Sequence, residues 1–196
     1  FEVLGNVHNL TVTASDGTNS TDISVTLGET DLNDNAPVFV DGNGDSVADY
    51  SFSYAENQDE GAVLGSVQAT DADAGSTLIY TITGGNNDGF FAINASGVIT
   101  LTAAGAAAAA NDFEVLANAH ALTVEASDGT NSTTITVNLG ETDVNDNAPV
   151  FVDGNGDSVA DYSFTYAENQ SEGAVLGSVQ ATDADAGSTL IYTITG

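Results

Sequence analysis

Short runs of alternating apolar and polar residues recur along this chain, each closed by a cluster of Gly, Asn, Asp or Ser. A period of two sends every second side chain of a strand to the same face. The run PVFV (37–40) begins with a proline that lacks a backbone donor, which suits an edge strand. AVLGSVQA (62–69) places Val63, Val67 and Ala69 on one face, and LIYTIT (78–83) groups Leu78, Tyr80 and Ile82. FFAI (90–93) and GVITL (97–101) flank an Asn-Ala-Ser-Gly turn. HALTVEA (120–126) turns Leu122, Val124 and Ala126 inward, and TTITVNL (133–139) does so with Ile135, Val137 and Leu139. The segment AAGAAAAAN (103–111) reads as a connecting loop or a single turn, because five alanines cannot nucleate a helix alone.

The pattern repeats. Residues 1–84 align without a gap to residues 113–196, and only 10 of those 84 positions differ. Asn33 falls on Asn145, Glu56 on Glu168 and Asp71 on Asp183, always 112 residues apart. The Ala-Pro pairs set the phase. Residues 1–35 are the tail of one unit, 36–147 a complete unit and 148–196 the start of the next. About seven strands in a 112-residue unit predict an all-β chain of tandem seven-stranded Greek-key β-sandwiches. A propeller blade is much shorter than this period.

Composition adds charge to this picture. There are 29 acidic residues and no Lys or Arg, a net charge of -29. No carboxylate can pair with a basic side chain other than His, and the self-repulsion opposes folding unless salt or bound cations relieve it. Nucleic acid and anionic membrane surfaces are poor partners for such a chain. General adaptation to high salt and specific binding of divalent cations both fit the composition. A salt-adapted protein spreads its acids, whereas many acids here cluster with Asn at fixed spacings. Cysteine is absent, which removes disulfides and thiolate-bound metals. No apolar run approaches the length of a membrane span, so this segment does not insert in a bilayer. Residue 1 is Phe and no leader is legible, which reads as a processed chain or a window on a longer one.

The clusters fall at the unit boundaries. The linkers carry Asp31, Asn33, Asp34 and Asn35, and again Asp143, Asn145, Asp146 and Asn147. ATDADAG supplies Asp71 and Asp73, then Asp183 and Asp185. NDFE supplies Asp112 and Glu114, YAENQ supplies Glu56, and ASDG supplies Asp128. Many hard oxygen ligands without Cys or His support favour Ca²⁺, which takes six to eight oxygens, over Mg²⁺ in its small octahedral shell. The plainer reading is a set of Asx turns in solvated loops. The occurrence of DxNDN, DxD and DFE together in one period weighs against it.

These motifs resemble the cadherin repeat, most closely its cadherin-like, immunoglobulin-like relatives in long microbial surface proteins. The resemblance spans nearly the whole chain and implies calcium ions at each junction between sandwiches, often three. It implies that the second junction uses Glu56, Asp112, Glu114, Asp143, Asn145, Asp146, Asn147, Asp183 and Asp185. It implies that the first uses Glu2, Asp31, Asn33, Asp34, Asn35, Asp71, Asp73 and Asp128. DFE stands where the family has DRE or DYE. The stretch DGNGDSVADYSFSY (41–54) intervenes between the PVF strand and the glutamate loop, where the family usually runs more directly. Its Asp41, Asn43, Asp45 and Asp49 match an EF-hand spacing, but Ser46 and Phe52 occupy positions where Gly and Glu belong. There is no Trp for strand-swap adhesion.

His8 and His120 repeat at one position and read as packed strand-edge histidines. No GxSxG nucleophile motif is present, and paired acids that recur in every unit do not make a hydrolase cleft, so the chain does not read as an enzyme. The Asn-x-Ser/Thr patterns at Asn9, Asn19, Asn94 and Asn131 are of a kind that arises readily in so Asn- and Thr-rich a chain. The expectation is an extracellular, calcium-rigidified structural repeat of a cell-surface adhesin or surface filament. Its partners would be adjacent repeats of the same chain, then like chains in a filament or a cell-surface ligand. The alternative is a recognition module that binds a partner through loops 41–53 and 84–90.

Overall fold

The computed structural model describes residues 2, 5–40, 50–152 and 161–196. The EF-hand-like spacing at 41–49 lies outside the described residues. The chain opens with a hairpin of β1 (Val7–Ser15) and β2 (Ser20–Gly28). The strands β3 (Val38–Phe39), β4 (Tyr50–Ala55), β5 (Val63–Ser66), β6 (Ala69–Thr70) and β7 (Ile79–Gly84) follow. Next come β8 (Phe91–Ile93), β9 (Val98–Leu101), β10 (Ala119–Ser127) and β11 (Ser132–Thr142). The last pair is β12 (Val150–Phe151) with β13 (Ala181–Thr182).

Between them, β4 to β11 form a β-sandwich. One sheet has the order β4-β11-β10-β7, the other β5-β9-β8, and β3 pairs with β6 beside them. All pairings are antiparallel except that of β4 with β11. Chain neighbours β7 and β8 sit in different sheets, and the chain returns through β9 to lay β10 beside β7. This is a Greek-key type of crossing, and the expected all-β tandem sandwich is the observed fold.

The core is the sum of the inward positions. Val67, Ile99, Leu122, Val124, Ala126, Val137 and Leu139 are buried, packed with Phe39, Tyr50, Tyr54, Leu64, Phe91 and Leu101. Full burial of one such aliphatic or aromatic side chain contributes about 1.5–3 kcal/mol. Buried tyrosines keep a partner for their polar end. The Tyr50 hydroxyl donates to the Val40 carbonyl at 2.6 Å, and the Tyr80 hydroxyl accepts from the Ala69 amide at 2.8 Å. The β10–β11 turn is closed by Asp128, whose Oδ1 accepts from the amides of Thr130 and Asn131, both at 2.6 Å. At the β8–β9 turn Gly97 has φ +78, and a Cβ there would stand 2.2 Å from the Val67 carbonyl oxygen. Only glycine fits that position.

Two local expectations change. The stretch 41–54, read as an intervening loop, holds a strand at Tyr50–Ala55. Tyr50, Phe52 and Tyr54 alternate as a strand requires, but their partner is the distant β11 in parallel register, so no hairpin signal announces them. The run 62–69 breaks into β5 and β6, and a register irregularity between Val63 and Gly65 turns Leu64 inward and leaves Val63 exposed. A bulge of this kind reverses the facing of the residues around it. The alanine run holds one 3-10 turn at Ala108–Ala110, as read from the sequence. His120 packs edge-on against Phe91 with ring centroids 5.0 Å apart, and burial lowers its pKa.

The ten differences between the repeats are not scattered. Thr13 and Asp22 face each other across the first hairpin and hydrogen-bond at 2.6 Å, and at the same places in the second stand Glu125 and Thr134. Asn9 and Thr26 likewise give way to Ala121 and Asn138. These substitutions lie on the outer face and change in cross-strand pairs. Inward positions keep their residues, and within the complete unit Leu122 is 0% exposed whereas Val63 is 68% exposed. Leu122→Ala should therefore cost about 2–5 kcal/mol in this chain. Val63→Ala should cost well under half as much. Urea denaturation of the two variants tests this, and equal losses would contradict the burial difference.

Candidate metal centre

Each linker runs from the end of one hairpin to a short strand, and the strands around it deliver acids to its two ends. At the second linker, Glu56 stands just past β4, Asp112 and Glu114 precede β10, and Asp143 to Asn147 follow β11. Glu56 is 2% exposed. Its Oε1 accepts from the Val144 amide at 2.7 Å and its Oε2 from the Phe113 amide at 2.8 Å. One buried carboxylate thus holds the linker and the DFE turn to the end of the sandwich. Asn57 follows it with φ 61 and donates from Nδ2 to Asp146 Oδ2 at 2.6 Å.

The carboxylates converge in four groups whose oxygens lie within 4.8 Å of one another. Two oxygens facing each other across a calcium ion are about that far apart, since each Ca–O bond is about 2.3–2.6 Å. At the second linker the groups are Glu56, Glu114 and Asp143, and Glu114, Asp146 and Asp185. At the first they are Glu2, Asp34 and Asp73, and Asp71, Asp73 and Asp128. Glu2, Asp34 and Asp73 are the repeat counterparts of Glu114, Asp146 and Asp185, so one arrangement appears at both junctions.

Asparagines hold these acids in place. Asn35 donates from its amide and from Nδ2 to the two oxygens of Asp73, at 2.8 and 2.6 Å. Asn147 donates from Nδ2 to Glu114 Oε2 at 3.1 Å, Asp146 Oδ1 at 3.0 Å and Asp185 Oδ1 at 2.9 Å. Asn33 Oδ1 accepts from Asn131 Nδ2, and Asn145 Nδ2 donates to Ser188 Oγ at 3.1 Å. Asp31 and Asp143 each accept an amide from beyond their linker, those of Ala74 and Ala186.

Of the carboxylates expected as ligands, Asp31, Asp112 and Asp183 stand in none of the four groups. Asp112 Oδ1 accepts from the Glu114 amide and Asp183 Oδ1 from the Asp185 amide, so both shape their turns. Asp183 is the counterpart of Asp71, whose group is completed by Asp128. Sequence reading passed over Asn57, Asn111, Asn118, Asn131 and Glu141. Asn57 and Asn131 did adjoin singled-out acids, in AENQ and DGTN.

Satisfied polar atoms are the rule in protein interiors, so the exceptions carry information. Among the described residues the buried side-chain atoms without a hydrogen-bond partner are all oxygens near the two linkers. They are Asp31 Oδ1, Asp71 Oδ2 and Asp128 Oδ2 at the first, and Asn111 Oδ1, Glu114 Oε1, Asn118 Oδ1, Glu141 Oε1 and Asp143 Oδ1 at the second. Acceptors crowd together without donors, which is the demand of a cation. Titration follows the same geometry. Burial, then the charge of Glu56 and the neighbouring Asp143 carboxyl, push the Glu114 carboxyl up to about 7. Burial also raises Asp31 and Glu141, the latter with the charges of Glu56 and Asp112. Amide donors from Asn131 and Thr130 instead hold Asp128 below the usual range.

A model of the cadherin domain matches residues 50–140. The chain is 35% identical to human protocadherin Fat 4 over 197 residues, which takes in 95% of this chain and 4% of that protein. It resembles the solved protocadherin Gamma B2 extracellular cadherin domains 3-6, with a TM-score of 0.74 and 29% identity over 95% of this chain and 44% of the other. It also resembles the protocadherin gammaB7 EC3-6 cis-dimer structure, with a TM-score of 0.73 and 27% identity over 93% and 43%. These relatives are animal-type protocadherins, which overturns the expected microbial surface type. That expectation rested on the bare motif pattern, which does not distinguish the two.

Glu114 gives a signed pH prediction. Its folded pKa stands above the ordinary 4.5, so between about 4.5 and about 7 the folded chain holds more protons than the unfolded one. Without divalent cations, the stability this group contributes is fully present below that window and lost as pH rises through it. Denaturation in chelator across the window should show the decline, and Glu114→Gln should flatten it. A stability that climbs over the same range would contradict the arrangement.

Proposed function

Residues 50–140 form a cadherin domain, and the chain is cadherin-like along its length, of the protocadherin and cadherin superfamily; from that premise we propose that it is a calcium-rigidified repeat that holds successive sandwiches at a fixed angle. The chain is extracellular, serves cell adhesion and is not an enzyme, in keeping with its likeness to protocadherins along nearly its whole length. Among the described residues no helix is long and apolar enough to cross a membrane. The units run over 1–35, 36–147 and 148–196, and neighbouring units of the same chain are the first partners of each.

One observation carries the calcium reading. The triad Glu114, Asp146 and Asp185 takes one acid from before its linker, one from within and one from beyond it, and the triad Glu2, Asp34 and Asp73 repeats the plan. A cation held by such a triad ties three chain segments together. Calcium suits the donors, which are all oxygen, flexible in number and partly supplied by Asn. The ligands are those named for each junction, with Glu56, Glu114 and Asp143 in the second group of the second linker and Asp71, Asp73 and Asp128 in that of the first. Asn33, Asn35, Asn145 and Asn147 orient the acids and offer further oxygens. Asp31, Asp112 and Asp183 join as ions draw the turns inward.

The mechanism is electrostatic. Without cations the like charges at each junction repel, and the linker bends to separate them. With calcium the repulsion becomes a set of shared bonds, so bending must break ligation. Binding only the ordered form also adds stability by mass action, about 2.7 kcal/mol at a free concentration one hundred times Kd. A second reading, contact between like chains side by side, is favoured by the likeness to a structure solved as a cis-dimer.

Small-angle scattering and thermal melting of the chain with calcium and with chelator test the proposal. Calcium should raise the melting temperature and narrow the range of junction angles, and Glu114→Gln should weaken both responses. A chain whose shape and stability ignore calcium would overturn the reading. So would monovalent salt that stiffens the chain as well as low calcium does, because the acids would then act only as a diffuse charge.

A further inference from the structure

Glu141 lies outside every carboxylate group described above. It sits on the inner face of β11, following Val137 and Leu139 in the alternation that builds the core. It is 8% exposed, so the apolar stripe ends in a buried carboxylate rather than an aliphatic side chain. The parallel register sets it opposite Tyr54 of β4, itself buried. Its backbone amide is occupied by the Asn118 carbonyl at 2.8 Å, but its Oε1 has no partner. The charges that reach it are those of Glu56 and Asp112, of its own sign. The chain offers no Lys or Arg to neutralise it.

A buried acid without a donor either holds a proton or has its charge met by something else. Two strand positions beyond it stand Glu56 and Asp143, which open into the junction. We propose that Glu141 is a further cation-coupled carboxylate of the second junction, an inner negative charge that strengthens the hold of a divalent, oxygen-seeking cation on the Glu56 and Asp112 side. The inference rests on the calcium reading of the junction.

The test is calcium titration by calorimetry, with melting in calcium and in chelator, on the whole chain and its variants. Glu141→Gln keeps the shape and removes the charge. It should weaken binding at one site class by about ten-fold or more. It should also shrink the calcium-induced rise in melting temperature, while the melting temperature in chelator stays level or rises. Glu141→Leu, which fills the same space with apolar atoms, should do the same, so a folding failure of one variant leaves the other to decide. If both Glu141 variants titrate like the parent, Glu141 is a buried acid that merely holds a proton; the inference falls and the calcium reading stands. If the parent itself shows no calcium response, both fall.

Discussion

Carboxylates crowd both ends of the central sandwich, in a chain with 29 acidic residues and no Lys or Arg. The chain cannot answer this repulsion with its own side chains, and its structure shows how far backbone and amide donors go toward answering it. Glu56 takes two amides, Asp73 takes two donors from Asn35, and Asp128 takes the amides of its turn. Oxygens without a partner remain, and among the described residues all those that are buried lie near the linkers. The hydrophobic core fixes where the strand ends lie, and the strand ends fix where this charge is collected. Core and junction are therefore one design, in which the apolar alternation of β10 and β11 aims the acids that follow them.

Much of this was legible in the sequence, for identifiable reasons. The alternation through Leu122, Val124 and Ala126, and through Ile135, Val137 and Leu139, is local and strong, and the strands form where it predicts. The acids were legible because they recur at one period, so coincidence could be weighed against repetition. The strand at Tyr50–Ala55 was not legible, because its partner lies far along the chain and its neighbours on one side are Gly and Asp. The facing of Val63 and Leu64 was decided by a register irregularity that no pattern of residue types encodes. Glu141 was invisible for a different reason. It follows the apolar Val137 and Leu139 on one face, and its depth is set by packing against β4, far along the chain, rather than by the letters around it.

The comparison between repeats separates two kinds of constraint. Inward and linker positions are kept nearly letter for letter across 112 residues, whereas six of the ten changes fall on the outer face of one hairpin. There the side chains change together with the residue across the strand, Thr13 and Asp22 against Glu125 and Thr134. A solvent face asks only that neighbours tolerate each other. A junction asks for a particular oxygen at a particular place.

One feature of the junctions reaches further than the affinity of any one group. Glu114 belongs to both groups of the second linker, and Asp73 to both groups of the first. A side chain shared by two sites cannot be ordered for one without being ordered for the other. On the proposed calcium reading, the loss of rotamer freedom would be borne by the first ion and spared the second. Filling would then be cooperative, and each joint would pass from slack to set over a narrow span of calcium concentration rather than by degrees.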